Sequence, residues 1–148
     1  MRNIDLIVIH CSATEAGKEY TVEDITRWHQ ARGFRTIGYH FLIHANGKID
    51  GAAEGCRPVQ EIGAHAKGYN QRSIGICYIG GLKYGEPLDT RTPAQIESVR
   101  LLVKVLQSIF PSEVVGHRDL SIDLNGDGVI TKNEWMKSCP SFDVKIDL

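Results

Sequence analysis

The sequence predicts an α/β fold in a single domain, residues 1–148: a central mixed β-sheet flanked by helices on both faces. Three observations predict it. Leu6-Ile7-Val8-Ile9 is apolar on both sides of a strand, so other layers must cover both. Two stretches carry apolar residues at helical spacing and alternate with strand-like runs. Asn46-Gly47 lies between two such runs and signals a hairpin, because both residues tolerate positive φ.

Taken in order, the first strand covers 6–9 and leaves His10 at its C-terminal end. Thr21-Val22-Glu23-Asp24 resembles a capping box. Val22, Ile25 and Trp28 then form the apolar stripe of a helix ending near Gly33, which assigns Trp28 to the core. The hairpin strands run from Gly38 to His44 and from Lys48 to Ala53, and Ser73 to Ile79 is another buried strand. Thr92-Pro93-Ala94-Gln95 starts a helix with a hydroxyl cap, a proline in the first turn and a glutamine returning to the cap. Ile96, Val99, Leu102, Val103, Leu106 and Ile109 recur at helical spacing until Pro111 stops the run. Val114-Val115 begins a short strand that delivers His117.

A chain of 148 residues buries roughly two-thirds of its unfolded surface in one core. Its net charge of −1 offers no basic excess for nucleic acid, and its apolar runs are too short to span a bilayer. Neither is an expected partner, and the chain is expected to be a monomer. Met1-Arg2-Asn3-Ile4-Asp5 leads into a strand without the apolar core of a signal peptide, which predicts cytoplasmic synthesis. In that compartment the four cysteines are expected as free thiols.

Chemistry concentrates in three stretches: Ile9-His10-Cys11-Ser12, Val115-Gly116-His117-Arg118 and Lys137-Ser138-Cys139-Pro140. Two imidazoles and one thiolate can hold Zn²⁺ and leave a fourth position open for water, as a catalytic zinc requires. A structural zinc needs four protein ligands, usually closely paired, and that spacing is absent. Convergence of His10, His117 and Cys139 therefore predicts metal-assisted hydrolysis.

These stretches belong to a longer series. His10-Cys11-Ser12-Ala13-Thr14, Gly38-Tyr39-His40-Phe41, Gly63-Ala64-His65-Ala66-Lys67-Gly68-Tyr69-Asn70, Ser73-Ile74-Gly75-Ile76-Cys77, Thr92-Pro93-Ala94-Gln95, Gly116-His117 and Cys139-Pro140-Ser141-Phe142-Asp143 follow one another nearly end to end. In this order they resemble the type 2 N-acetylmuramoyl-L-alanine amidases, a superfamily that includes phage lysozyme-type amidases and peptidoglycan recognition proteins. The resemblance implies a zinc enzyme of endolysin type. It would act on the cell wall after release, cutting the amide between N-acetylmuramic acid and the L-alanine of the peptidoglycan stem peptide. The alternative is a non-catalytic peptidoglycan-binding module of the same fold, and such relatives characteristically lack the thiolate that Cys139 supplies. By motif position the resemblance makes His10, His117 and Cys139 the zinc ligands. The match is better to the phage-type branch, since Cys77 stands where the recycling branch has a catalytic glutamate.

The resemblance also points to Tyr39 and Lys137 as catalytic groups. Lys137, two residues before Cys139 in an extended segment, shares its face and can stabilise an oxyanion. Tyr39, expected on one strand side with Phe41 and Ile43, can orient water or relay a proton to the leaving nitrogen. His65, in a loop of small residues, is expected to bind substrate. His40, facing away from Tyr39, is expected to be structural, and His29 and His44 carry no functional context.

Between two of the zinc candidates, 123–134 fits an EF-hand-like calcium loop. Asp123, Asn125 and Asp127 occupy its first, third and fifth positions, Gly128 the turn, and Glu134 the twelfth. Val129 would offer its carbonyl and Thr131 a contact through water, making Ca²⁺ a second expected ion. The competing expectation is an Asx-rich turn that binds nothing.

Overall fold

The structure, a computed structural model, describes residues 2–148. The main sheet holds β1 (Leu6–Cys11), β3 (Phe41–Ile43), β4 (Ile49–Asp50), β5 (Ser73–Tyr78) and β8 (Glu113–Gly116) in the order β4-β3-β5-β1-β8. All neighbours pair in parallel except β3 and β4, the two arms of the Asn46-Gly47 hairpin. Every residue of β1 and of β5 is buried, as strands with layers on both sides require.

Strand alternation decides what each face meets. Ile7, Ile9 and Cys11 of β1, with Ile74, Ile76 and Tyr78 of β5, pack on Val99, Leu102, Val103 and Leu106 of α2 (Pro93–Ile109). On the other face Leu42 and Cys77 meet Val22 and Ile25 of α1 (Val22–Ala31), and Leu6 and Val8 meet Ala66. His10, next in that alternation, emerges on this second face.

Both helix starts form as the sequence predicts. Thr21 accepts from the Asp24 N–H, Thr92 accepts from the Gln95 N–H, and each box closes reciprocally. Gln95 does more than cap: its buried amide nitrogen donates to the carbonyls of Ile43 and Ile79, tying α2 to the ends of two strands.

Four expectations need correction. The hairpin strands are shorter than predicted, because the Tyr39 carbonyl accepts from Arg57 rather than from a sheet neighbour, and Ala52–Glu54 turns into a 3-10 helix. Tyr39 therefore lies just before β3 and is not a strand residue. Trp28 is 39% exposed and stacks on Tyr20; Val22, Ile25 and His29 form the inner stripe instead. Ile109 is exposed, and the following Phe110 packs against the core in its place. A second small sheet, of β2 (Thr14–Glu15), β6 (Gly81–Lys83) and β7 (Glu86–Pro87), has strands too short for a periodic signal. No helix among the described residues is long and apolar enough to cross a membrane.

Candidate metal centre

Sheet register brings the two histidines together. β1 and β8 are parallel neighbours with Ile9 beside Gly116, so the next residues, His10 and His117, leave the sheet side by side. Their ring centroids are 4.6 Å apart. His10 is still within β1 and fully buried, whereas His117 opens a 3-10 turn and is half-buried.

The third group arrives on a segment without regular structure, anchored by hydrogen bonds. The Arg118 N–H donates to the Cys139 carbonyl at 2.8 Å, and the buried Tyr78 hydroxyl donates to the Pro140 carbonyl at 2.6 Å. The Cys11 N–H donates to Cys139 Sγ at 3.2 Å. Gly116 lets this segment approach, since a Cβ there would stand 2.8 Å from Pro140 Cδ. One donor atom each from His10, His117 and Cys139 then lies within 4.8 Å of the others, and His10 Nδ1 is 3.7 Å from Cys139 Sγ.

This donor set fits zinc. Tetrahedral zinc with bonds of about 2.0–2.3 Å holds its donors about 3.3–3.7 Å apart, so slight contraction suffices. Burial pushes the His10 pKa well below its ordinary value, and burial together with Lys137 lowers that of His117 to about 4. Both rings therefore offer lone pairs at neutral pH. Contact with the Cys11 thiol, then burial, raises the Cys139 pKa, so a bound dication is what would make it a thiolate.

Of the other predicted groups, Lys137 is exposed and lines a cleft of about 400 Å³ together with His117, Lys67, Tyr69, Ile122 and Met136. Tyr39 packs its ring 5.1 Å from that of His10, with its phenol against Cys77. Burial, then the neighbouring thiols, raises the phenol pKa, so it stays protonated and can only donate. His65 departs from its expected place in the substrate pocket. It is 9% exposed, does not line the cleft, and stands behind His10, its Nδ1 2.9 Å from His10 Nε2. The flanking small residues that suggested ligand access instead make room for the buried ring. His40 is structural as expected: its Nδ1 accepts from the Gly75 N–H, leaving Nε2–H to donate to the Glu61 carbonyl at 2.8 Å. Tyr78 and Arg118, which hold the Cys139 segment, carry no sequence signal for that task, because both act through backbone groups.

The 123–134 excursion forms a chain of Asx turns. Asp123 accepts from the Gly126 and Gly128 N–H groups, Asn125 from Asp127, and Asp127 from Val129. Glu134, 5% exposed, accepts from the N–H groups of Thr131, Leu124 and Asn125, which lower its pKa to about 2. Carboxylate oxygens of Asp123, Asp127 and Glu134 lie within 4.8 Å of one another. The flanking α-helices of an EF-hand are absent here; Lys132–Glu134 is a single 3-10 turn.

Comparison with known proteins gives concordant matches. The family model described as N-acetylmuramoyl-L-alanine amidase matches residues 1–141. The endolysin of Escherichia phage T7 is 37% identical over 143 residues, covering 95% of this chain and 83% of that protein. An uncharacterized protein of Haemophilus influenzae is 51% identical over 98 residues, or 65% of this chain and 84% of that protein. Among solved structures, the N-acetylmuramoyl-L-alanine amidase LysC from Clostridium intestinale URNW superposes with a TM-score of 0.71 at 27% identity. That superposition covers 96% of this chain and 79% of LysC.

Proposed function

The chain belongs to the N-acetylmuramoyl-L-alanine amidase family, and we propose that it uses zinc to hydrolyse the amide joining N-acetylmuramic acid to the L-alanine of the peptidoglycan stem peptide. The observation that carries this is the convergence of His10, His117 and Cys139 from three distant parts of the chain. Zinc held by these three would supply a Lewis acid and activate water at neutral pH.

The remaining work falls to the protein. Lys137, in the cleft beside His117, stabilises the oxyanion that develops as the amide carbonyl becomes tetrahedral, worth about 3 kcal/mol for one such donor. Tyr39 holds its phenolic proton at neutral pH and acts as a donor, towards water or the departing alanine nitrogen. The cleft takes the stem peptide along Tyr69, Ile122 and Met136. A non-catalytic binding module would have no use for a thiol held beside two neutral imidazoles.

The reading extends to a second ion. Asp123, Asn125, Asp127, the Val129 carbonyl and Glu134 would hold Ca²⁺, with Thr131 contributing through water. The support is the twelve-residue pattern and the mutual approach of three carboxylates.

Mass spectrometry of muropeptides after incubation with the zinc-loaded protein tests the main reading. Stem peptides bearing a free L-alanine amine, with no new reducing sugar ends, are the expected products. Reducing ends without amine release would make the protein a glycosidase and overturn it.

A further inference from the structure

His65 is a buried titratable group to which the chemistry above gives no role. Its ring stands edge-on to His10, centroids 5.0 Å apart. Its Nδ1 meets His10 Nε2 at 2.9 Å, and its Nε2 meets the hydroxyl of the fully buried Ser73 at 3.3 Å. His10 Nδ1 is the nitrogen that faces Cys139 Sγ, so it is the one that must present a bare lone pair. A neutral imidazole carries a single N–H. Placed on His10 Nε2, that hydrogen is donated to His65 Nδ1. His65 can accept it only if its own hydrogen is on Nε2, where the Ser73 oxygen accepts it. The opposite polarity would put a hydrogen on His10 Nδ1, where the metal must bind.

We propose that His65 is a positioning residue that selects the metal-ready tautomer of His10, with Ser73 closing the relay. The local fold is built around it. Asn70 Oδ1 accepts from the backbone N–H groups of both His65 and Ala66 at 2.9 Å, which fixes the loop. A Cβ on Gly75 would stand 2.6 Å from His65 Cγ, and one on Gly63 2.7 Å from Cδ2, so two bare backbones make the slot for the ring. The proposal rests on His10 being a metal ligand, as the amidase reading requires.

Long-range ¹H–¹⁵N correlation of the ring nitrogens in the metal-free protein reads the tautomer directly. In the wild type, His10 is expected to carry its hydrogen on Nε2; finding it on Nδ1 overturns the proposal without any variant. His65→Phe keeps a ring but removes the acceptor, and should mix the His10 tautomers and weaken zinc binding about 10–100-fold. His65→Asn, whose Oδ1 can take the place of Nδ1, should restore much of that affinity, which mere filling of space would not do. Zinc affinity is read by competition with a chromophoric chelator, and melting of the metal-free proteins checks folding. If His65→Phe fails to fold, Ser73→Ala takes its place and should shift the tautomer in the same direction. A folded His65→Phe with wild-type tautomer and zinc affinity overturns the proposal. Tight zinc binding without amide cleavage would instead strike at the amidase reading and leave the tautomer result standing.

Discussion

Cys139 becomes a ligand only through its surroundings, and the substitutions that test this separate holding the metal from serving the reaction. Cys139→Ser should lower zinc content and abolish turnover. Lys137→Ala should keep zinc, measured by atomic absorption, and lose about 100-fold in kcat, since it serves only the developing charge. Near wild-type kcat in Lys137→Ala would remove it from the mechanism. Tyr78→Phe tests the anchor: losing the hydroxyl bonded to the Pro140 carbonyl should cost about 1 kcal/mol in denaturant unfolding and weaken zinc binding. At this scale the ligands were legible because imidazole and thiolate are rare chemistry in recognisable surroundings. Tyr78 was not: its partner is a carbonyl 62 positions away, and its own pattern says only that it is buried in a strand. His65 was noticed for its loop but assigned the wrong neighbour, since small flanking residues admit a packed ring as readily as a ligand.

Elements differ in how far local sequence decides them. The two capped helices follow from hydroxyl, proline and side-chain carbonyl at fixed offsets, and they form where those signals stand. Tyr39 and the small sheet depend on pairings between distant backbones, which no local period encodes. The approach of β8 to the Cys139 segment is a similar case, and it can be tested. Gly116→Ala places a methyl 2.8 Å from the proline ring, which has little freedom to yield. The variant should lose about 1–3 kcal/mol of stability, and its zinc affinity should fall with it. The calcium loop makes a complementary prediction. Millimolar calcium should raise the melting temperature of the wild type, because only the folded chain gathers the carboxylates, and Glu134→Gln should abolish the rise. No response in calorimetry of the wild type would leave the excursion as a connector.

The whole molecule should be acid-labile when metal-free, and the sign follows from three histidines. Burial comes first among the causes at each. Arg32 and Arg57 add to it at His29, Arg2 and Arg57 at His40, and Lys137 at His117. Together they lower His29 and His117 to about 4 and His40 to about 3, against about 6.5 unfolded. Below about pH 6.5 the unfolded chain therefore binds more protons than the folded one. Stability is whole above that pH and falls as pH drops towards 4, with His40 extending the loss towards 3. Calorimetry of the metal-free protein should show melting at least about 5 °C lower near pH 5 than near pH 7; equal melting would contradict these burials. That several histidines would be buried and neutral was not visible in the sequence, because nothing local says which imidazoles the two layers will enclose. The mixed sheet with helices on both faces was visible, because two-sided apolar strands and capped amphipathic helices admit few other arrangements. The Met136 N–H donates to Ser121 Oγ at 3.0 Å, so the excursion between them departs and returns at a single point. That stitch makes the loop an exchangeable cartridge. A sequence of another length, with a lanthanide tag or an epitope, can be spliced between those two residues while the scaffold stays as it is. Ile122 and Met136 stand both at the splice and in the cleft wall, so whatever fills the cartridge will be felt where the substrate lies.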